Sequence, residues 1–252
     1  MCSGPLVKIL PYIEQQAIYA KWKFGCAVQQ GTSITRYIAQ STMIDTFICP
    51  SDRYQPGWAQ TNYTVSIGPN LGWSDDLNQM NGMFRRREGV RMRDVTDGTS
   101  NTVLLAERLI GDANNGINSL SDLVYGIAAP AGITDPHCMM FPPQPAVEQW
   151  GYAAAQVWTP QFSGCCSSED WSCGDHYINE CASPNWHYPD TKWQGCGWRQ
   201  VEGGIYPSRS KHPGGVIAAY ADASIHFVSS SIDYNTWQYL GARNDGQPVT
   251  PP

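Results

Sequence analysis

Charged side chains make up only 15% of the 252 residues, and 16 Lys and Arg face 22 Asp and Glu. A net charge of −6 leaves no basic surface of the kind that holds nucleic acid or anionic lipid, so nucleic acid is set aside as a partner. No stretch reaches the roughly 18 consecutive apolar residues that cross a bilayer as a helix. The opening MCSGPLVKIL also lacks the charged leader, apolar stretch and small-residue cleavage site of a secretory signal. The chain as given is therefore expected to be soluble. Neither a G-x-S-x-G nucleophile turn nor paired C-x-x-C knuckles occur, which removes the usual marks of a serine hydrolase and of a zinc ribbon.

Cysteine and aromatic residues, by contrast, are plentiful: nine Cys, 10 Trp and 13 Tyr. Thiols pair and stay paired in oxidising compartments, so this usage points to an exported protein, extracytoplasmic, at the cell surface or secreted. Cys165, Cys166, Cys173, Cys181 and Cys196 cluster and are the disulfide candidates, while Cys2, Cys26, Cys49 and Cys138 are scattered. The odd total leaves at least one thiol free or paired between chains.

The pattern along the chain is mixed. PYIEQQAIYAKWKFG predicts a helix beginning at Pro11, with Ile13, Ala17, Ala20 and Phe24 on one face and Gly25 closing it. A helix or loop is expected around 33 to 42. Strands are expected at IDTFICPSD, near NYTVSIG, along RREGVRMRDV and at TVLLAE, with a hairpin in GGVIAAYADASIHFVSSS and a closing helix at DYNTWQYLG. Residues 111 to 208 hold six of the Trp, the clustered Cys and His137, His176 and His187, with few aliphatic runs. This segment reads as an insertion between two parts of one core, residues 1 to 110 and 209 to 252. Disulfides and ring stacking would hold it together in place of an aliphatic core.

ILPYIEQQAIY, FICPSD, DVTDGTSNTVLLAER and SKHPGGVIAAYADASIHFVSSSID, in that order, resemble the prepilin-like secreted proteins grouped as domain of unknown function 1559. The family ending H-X9-DG maps onto His212, nine residues and Asp222, with Ala223 in place of the Gly. The motif residues are Asp97, Gly98, Thr99, Ser100, Asn101, Glu107, His212, Gly214, Gly215 and Asp222. The resemblance implies an α+β fold like a pseudopilin headpiece: an N-terminal helix packed on an antiparallel β-sheet, carrying a large Cys/Trp-rich loop insertion. It also implies a precursor inserted in a membrane through an apolar N-terminal helix missing here, and self-assembly or contact with other surface proteins. If the turn at Ala223 were type I′, a non-Gly residue would sit at positive φ at a cost of about 1 kcal/mol.

Each candidate site has a structural counterpart. Asp94, Asp97, Thr99 and Asn101 could offer oxygens to calcium, the candidate cofactor, or could shape a corner at a strand entrance. Glu107 could point inward and pair with an Arg, or lie exposed. His212 and Asp222 suggest acid and base, against a structural hydrogen bond from His212 to backbone. Cys173 and His176, with Cys165, Cys166, Cys181 or His187, could hold zinc, against disulfides. The Trp-rich segment could receive a glycan or could form a mini-core. The resulting expectation is a noncatalytic, pseudopilin-like structural or surface-assembly protein whose insertion recognises a partner or ligand, with no catalytic residues assigned. An extracellular carbohydrate- or solute-binding module is the alternative, and an extracellular hydrolase the third reading.

Overall fold

The computed structural model describes residues 4–22, 42–52, 60–74, 76–85, 89–111, 117–158, 177–195, 203–247 and 249. The expected helix or loop around 33 to 42 lies outside them but for its last residue, as do Cys165, Cys166, Cys173, His176 and Cys196. The fold is α+β. A five-stranded sheet runs in the order β4-β1-β2-β7-β8, and a three-stranded sheet in the order β3-β5-β6. Their strands are β1 (Tyr63–Ser66), β2 (Val103–Glu107), β3 (Leu123–Ile127), β4 (Tyr177–Ile178), β5 (Asp190–Trp193), β6 (Gly204–Ile205), β7 (Gly215–Tyr220) and β8 (Ile225–Ser229). The helices are α1 (Pro5–Ile9), α2 (Gln16–Lys21), α3 (Gln144–Gln156) and α4 (Tyr234–Gly241). Among the described residues no helix is long and apolar enough to cross a membrane.

The N-terminal helix starts earlier than its sequence suggests and is broken. Pro5 opens α1, a 3-10 turn covers Leu10–Ile13, and Glu14 adopts a left-handed φ of 62° before α2 begins. Its buried residues are therefore Leu6, Val7 and Leu10, which pack with Trp22, Ile44 and Phe47, while Ala17 and Ala20 are exposed. Phe47 links this cluster to the sheet, since its carbonyl accepts the Asn62 N–H at 2.8 Å just before β1.

Two expected strands are absent. IDTFICPSD forms a 3-10 turn at Asp45–Phe47 and then extends, because Asn62 rather than a neighbouring strand meets its backbone. Among its described residues, 89 to 95, RREGVRMRDV gives only the bridge Phe84↔Gly89 and a 3-10 turn at Met92–Asp94, where the Asp94 carboxylate accepts the Arg91 N–H at 3.0 Å. Its alternation finds no further partner strand among the described residues: Met92 is exposed, Val90 half-buried and Val95 buried.

The sheet is antiparallel from β1 to β8, and β4 joins β1 in parallel. One face carries Val103, Ala106, Val216, Ala218, Tyr220 and Val228, and Trp237 and Leu240 of α4 cover it. A second core gathers Val147, Trp150 and Ala154 of α3 with Trp186, Ile205 and Cys181. The 111–208 segment supplies β4 to the main sheet, and its buried residues pack together with Leu71 and Tyr234 from outside it. Of its Trp residues, Trp150 and Trp186 are buried and Trp158 and Trp193 are half-buried. Cys181 is a free, fully buried thiol whose pKa burial raises well above its ordinary value, so among the described residues this disulfide candidate has no cysteine partner.

One buried network joins the segment to β2. Asp190 of β5 pairs with Arg108 directly after β2, and its other oxygen accepts from Arg209 Nε at 3.1 Å. The remaining guanidinium donors reach the carbonyls of Tyr177, Trp186 and Tyr188. Such saturation is what a buried ion cluster requires.

Candidate functional site

Three of the quoted stretches, FICPSD, TVLLAER and SKHPGG, meet at one point. Cys49 lies at the start of a turn in which the Asp52 N–H returns to its carbonyl at 3.1 Å. Asn62 holds that turn against β2: its Oδ1 accepts the Cys49 N–H at 2.9 Å, and its amide donates to Asp52 Oδ2 and to the Arg108 carbonyl. Glu107 closes β2 with its side chain 3% exposed. His212 sits in the turn before β7, its backbone N–H donating to Ser210 Oγ at 3.1 Å.

From these positions His212 Nε2 lies 3.1 Å from Glu107 Oε1 and 3.6 Å from Cys49 Sγ. The three ligating atoms lie within 4.8 Å of one another. Among the described residues this is the one grouping of three or more His, Cys, Asp or Glu able to hold a metal. Glu107 Oε2 accepts the Ile217 N–H at 2.7 Å, which orients the carboxylate from behind. Tyr63 stands opposite Glu107 in the β1–β2 register. Burial raises its phenol pKa, and the charges of Cys49 and Glu107 add to the effect.

This arrangement differs from a thiol–imidazole–carboxylate relay, in which thiol and carboxylate take opposite ring nitrogens. Here both face Nε2. The grouping suits convergence on one shared atom better than proton passage from one end of the ring to the other.

The other sequence candidates are placed elsewhere. The Asp97 carboxylate accepts the backbone N–H groups of Asp245 and Gly246 at 2.6 and 3.1 Å. Asn101 donates to the Asp97 carbonyl, Thr102 to the Gly98 carbonyl, and Gly98 takes a φ of 105°. Thr99 offers its carbonyl to Asp222, Ser100 bonds Asn101, and Asp94 caps its own turn beside Arg93. The polar groups of the DVTDGTSNT corner are engaged in shaping it. Glu107 points inward as one expectation had it, but its partners are His212 and a backbone N–H in place of an Arg. The His212 ring likewise meets side chains where a backbone bond was expected.

His212 and Asp222 do not meet. They flank the six residues of β7, whose length at about 3.3 Å per residue separates them by roughly 20 Å. Asp222 is exposed, and the Ser224 hydroxyl and N–H hold its carboxyl below its ordinary pKa. Gly214 sits at a φ of 82°, while a Cβ on Gly215 would strike the Val228 carbonyl at 2.2 Å. Cysteine spacing does not mark out Cys49, which stands among the scattered cysteines; its signal is its place inside a quoted motif, FICPSD.

A second feature is a cleft of about 560 Å³ bordered by Asn78, Asn81, Arg85, Arg93, Asp94 and Arg243. Arg243 is anchored by donating to the carbonyls of Met80 and Gly82.

No curated protein and no solved structure matches the chain. A family model does, over residues 2–235, a span that includes Cys49, Glu107, His212, both sheets and all four quoted family motifs. The chain belongs to the family described as protein of unknown function (DUF1559).

Proposed function

We propose that the protein is a noncatalytic, exported, pseudopilin-like structural component that assembles through the β8 edge of its main sheet. The observation that carries this reading is strand β8. It is the edge strand of the sheet, yet Ile225 is 69% and Phe227 46% exposed, next to half-buried Ile217 and Ala219 in the β7 register. Edge strands of free-standing proteins are ordinarily blunted by charge, proline or a bulge, and exposed apolar stripes mark contact surfaces. The prepilin-like motif order and the H-X9-DG ending, here His212 to Asp222 with Ala223, support the same class. The shared ring nitrogen of His212 supports the noncatalytic part.

Sedimentation velocity across a concentration series tests it. The protein is expected to associate, and the Ile225→Lys/Phe227→Lys variant to remain monomeric while keeping its circular dichroism spectrum. A monomeric parent, or a variant that associates equally, overturns the reading.

The cleft favours a second reading, a module that binds a polar, anionic solute. Arg85, Arg93 and Arg243 place three cations against one carboxylate, Asp94, with amide groups between them. A thermal-shift screen of uronic acids and dicarboxylates, repeated on Arg93→Ala, tests it; absence of any shift removes it.

A further inference from the structure

We infer that Cys49, Glu107 and His212 form a binding site for one divalent transition-metal ion of the zinc class, a property independent of the assembly reading. The argument begins with donor chemistry. A thiolate, an imidazole and a carboxylate are the three side-chain types that zinc accepts.

Geometry agrees. With metal bonds of about 2.3 Å to sulfur and 2.0 to 2.1 Å to nitrogen and oxygen, a tetrahedral centre puts sulfur about 3.6 Å from nitrogen and nitrogen about 3.3 Å from oxygen. The corresponding separations are 3.6 Å and 3.1 Å. A proton on Nε2 can be directed well to Glu107 or to Cys49 but not to both, whereas a cation between them satisfies all three atoms at once.

The surroundings are built to hold the ligands. Glu107 is fixed through its second oxygen by the Ile217 N–H, and Cys49 through its own N–H by Asn62, which in turn is held by Asp52 and Arg108. Such outer partners orient metal ligands. His212, with a side chain one-third exposed, gives the ion a path in from solvent. Binding displaces the Cys49 thiol proton to solvent, so the thiolate and Glu107 carboxylate balance the two positive charges of the ion.

The test is Co²⁺ and Zn²⁺ titration of the full chain under reducing conditions. Expected are thiolate-to-cobalt charge-transfer absorption with ligand-field bands of a four-coordinate ion, displacement of Co²⁺ by Zn²⁺, and a rise in melting temperature with Zn²⁺. In Cys49→Ala the charge-transfer band at this site disappears, bound zinc falls by one per chain, and the zinc-dependent rise is lost. Other cysteines that bind metal would keep their share in this variant, so the difference belongs to Cys49. His212→Ala, which removes a partly exposed ring, is expected to weaken zinc binding at least 100-fold. It keeps the test decisive if Cys49→Ala does not fold. Equal zinc stoichiometry and equal thermal response in the parent and in a folded variant, or no cobalt–thiolate band in the parent, overturns the inference.

Discussion

The backbone N–H of Asp222 donates to the carbonyl of Thr99 at 3.1 Å, and the N–H of Ala221 donates to Thr102 at 2.9 Å. The tip of the β7–β8 hairpin is thereby closed onto the DVTDGTSNT corner. Two motifs more than a hundred residues apart in sequence form one joint. This gives the corner its purpose: the Asn101 and Thr102 side chains satisfy their own loop, Asp97 holds the C-terminal stretch, and the Thr99 and Thr102 carbonyls receive the hairpin.

The hairpin turn itself is strained at a single residue. Ala223 N–H bonds the Tyr220 carbonyl, Tyr220 N–H bonds the Ser224 carbonyl, and Ala223 adopts a φ of 69°. This is a three-residue loop ending in a left-handed residue, the position that favours glycine, and not the two-residue type I′ turn considered from sequence. Ala223→Gly is expected to stabilise the fold by about 1 kcal/mol, a rise of about 2–4 °C in melting temperature. Calorimetry that finds no rise would show that the strain is relieved elsewhere.

Asp190 is the carboxylate shared by two guanidinium groups that are almost entirely out of water. Asp190→Ala leaves Arg108 and Arg209 buried with no carboxylate, so a loss of about 3–5 kcal/mol is expected. Urea denaturation reads it as a lower midpoint. A loss below about 1 kcal/mol would mean that the carbonyl partners suffice.

Glu180 is fully buried, and desolvation pushes its pKa up to about 8 despite the hydrogen bond that Ser66 donates. Its unfolded counterpart releases the proton near the ordinary value of 4.5. Between these values the folded state holds more protons than the unfolded one, so stability falls as pH rises through the window and levels off above it. Glu180→Gln is expected to remove that slope and to be more stable than the parent above pH 8 by a few kcal/mol, on the order of 1.4 kcal/mol per unit. Melting curves of both proteins from pH 4 to pH 9 give the difference; parallel curves would contradict the assignment.

Asp97 binds the C-terminal stretch through two backbone N–H groups. Nearby, burial and then the Asp97 carboxylate raise the pKa of Asp245 to about 6. Asp97→Ala is expected to cost about 1–3 kcal/mol and to speed amide exchange at Asp245 and Gly246. Unchanged exchange at those two amides would show that the segment is held by other contacts.

Local pattern identified β1, β2, the β7–β8 hairpin and α4, because each has a period or turn signal contained within a few residues. It misplaced the N-terminal helix, which is broken at Glu14 and buries Leu6, Val7 and Leu10 against the distant Ile44 and Phe47. It also missed α3, where Ala146, Val147, Trp150, Gly151 and Ala154 do carry a helical period but are apolar by small and aromatic residues, without an aliphatic run. A Cβ on Gly151 would meet the Trp186 ring at 2.4 Å, so even that spacing is explained only by its neighbour.

Composition and motif order were sufficient for the α+β class, the family and the residues worth watching, since these depend on side-chain type and short-range spacing. What folding alone could decide was company: that His212 would face Glu107, 105 residues away, and Cys49, 163 residues away, while leaving Asp222 at the far end of a strand. A strand carries its two ends apart by its own length, whereas a loop and a sheet edge can bring any two segments together. No periodicity in the chain records which of these will happen.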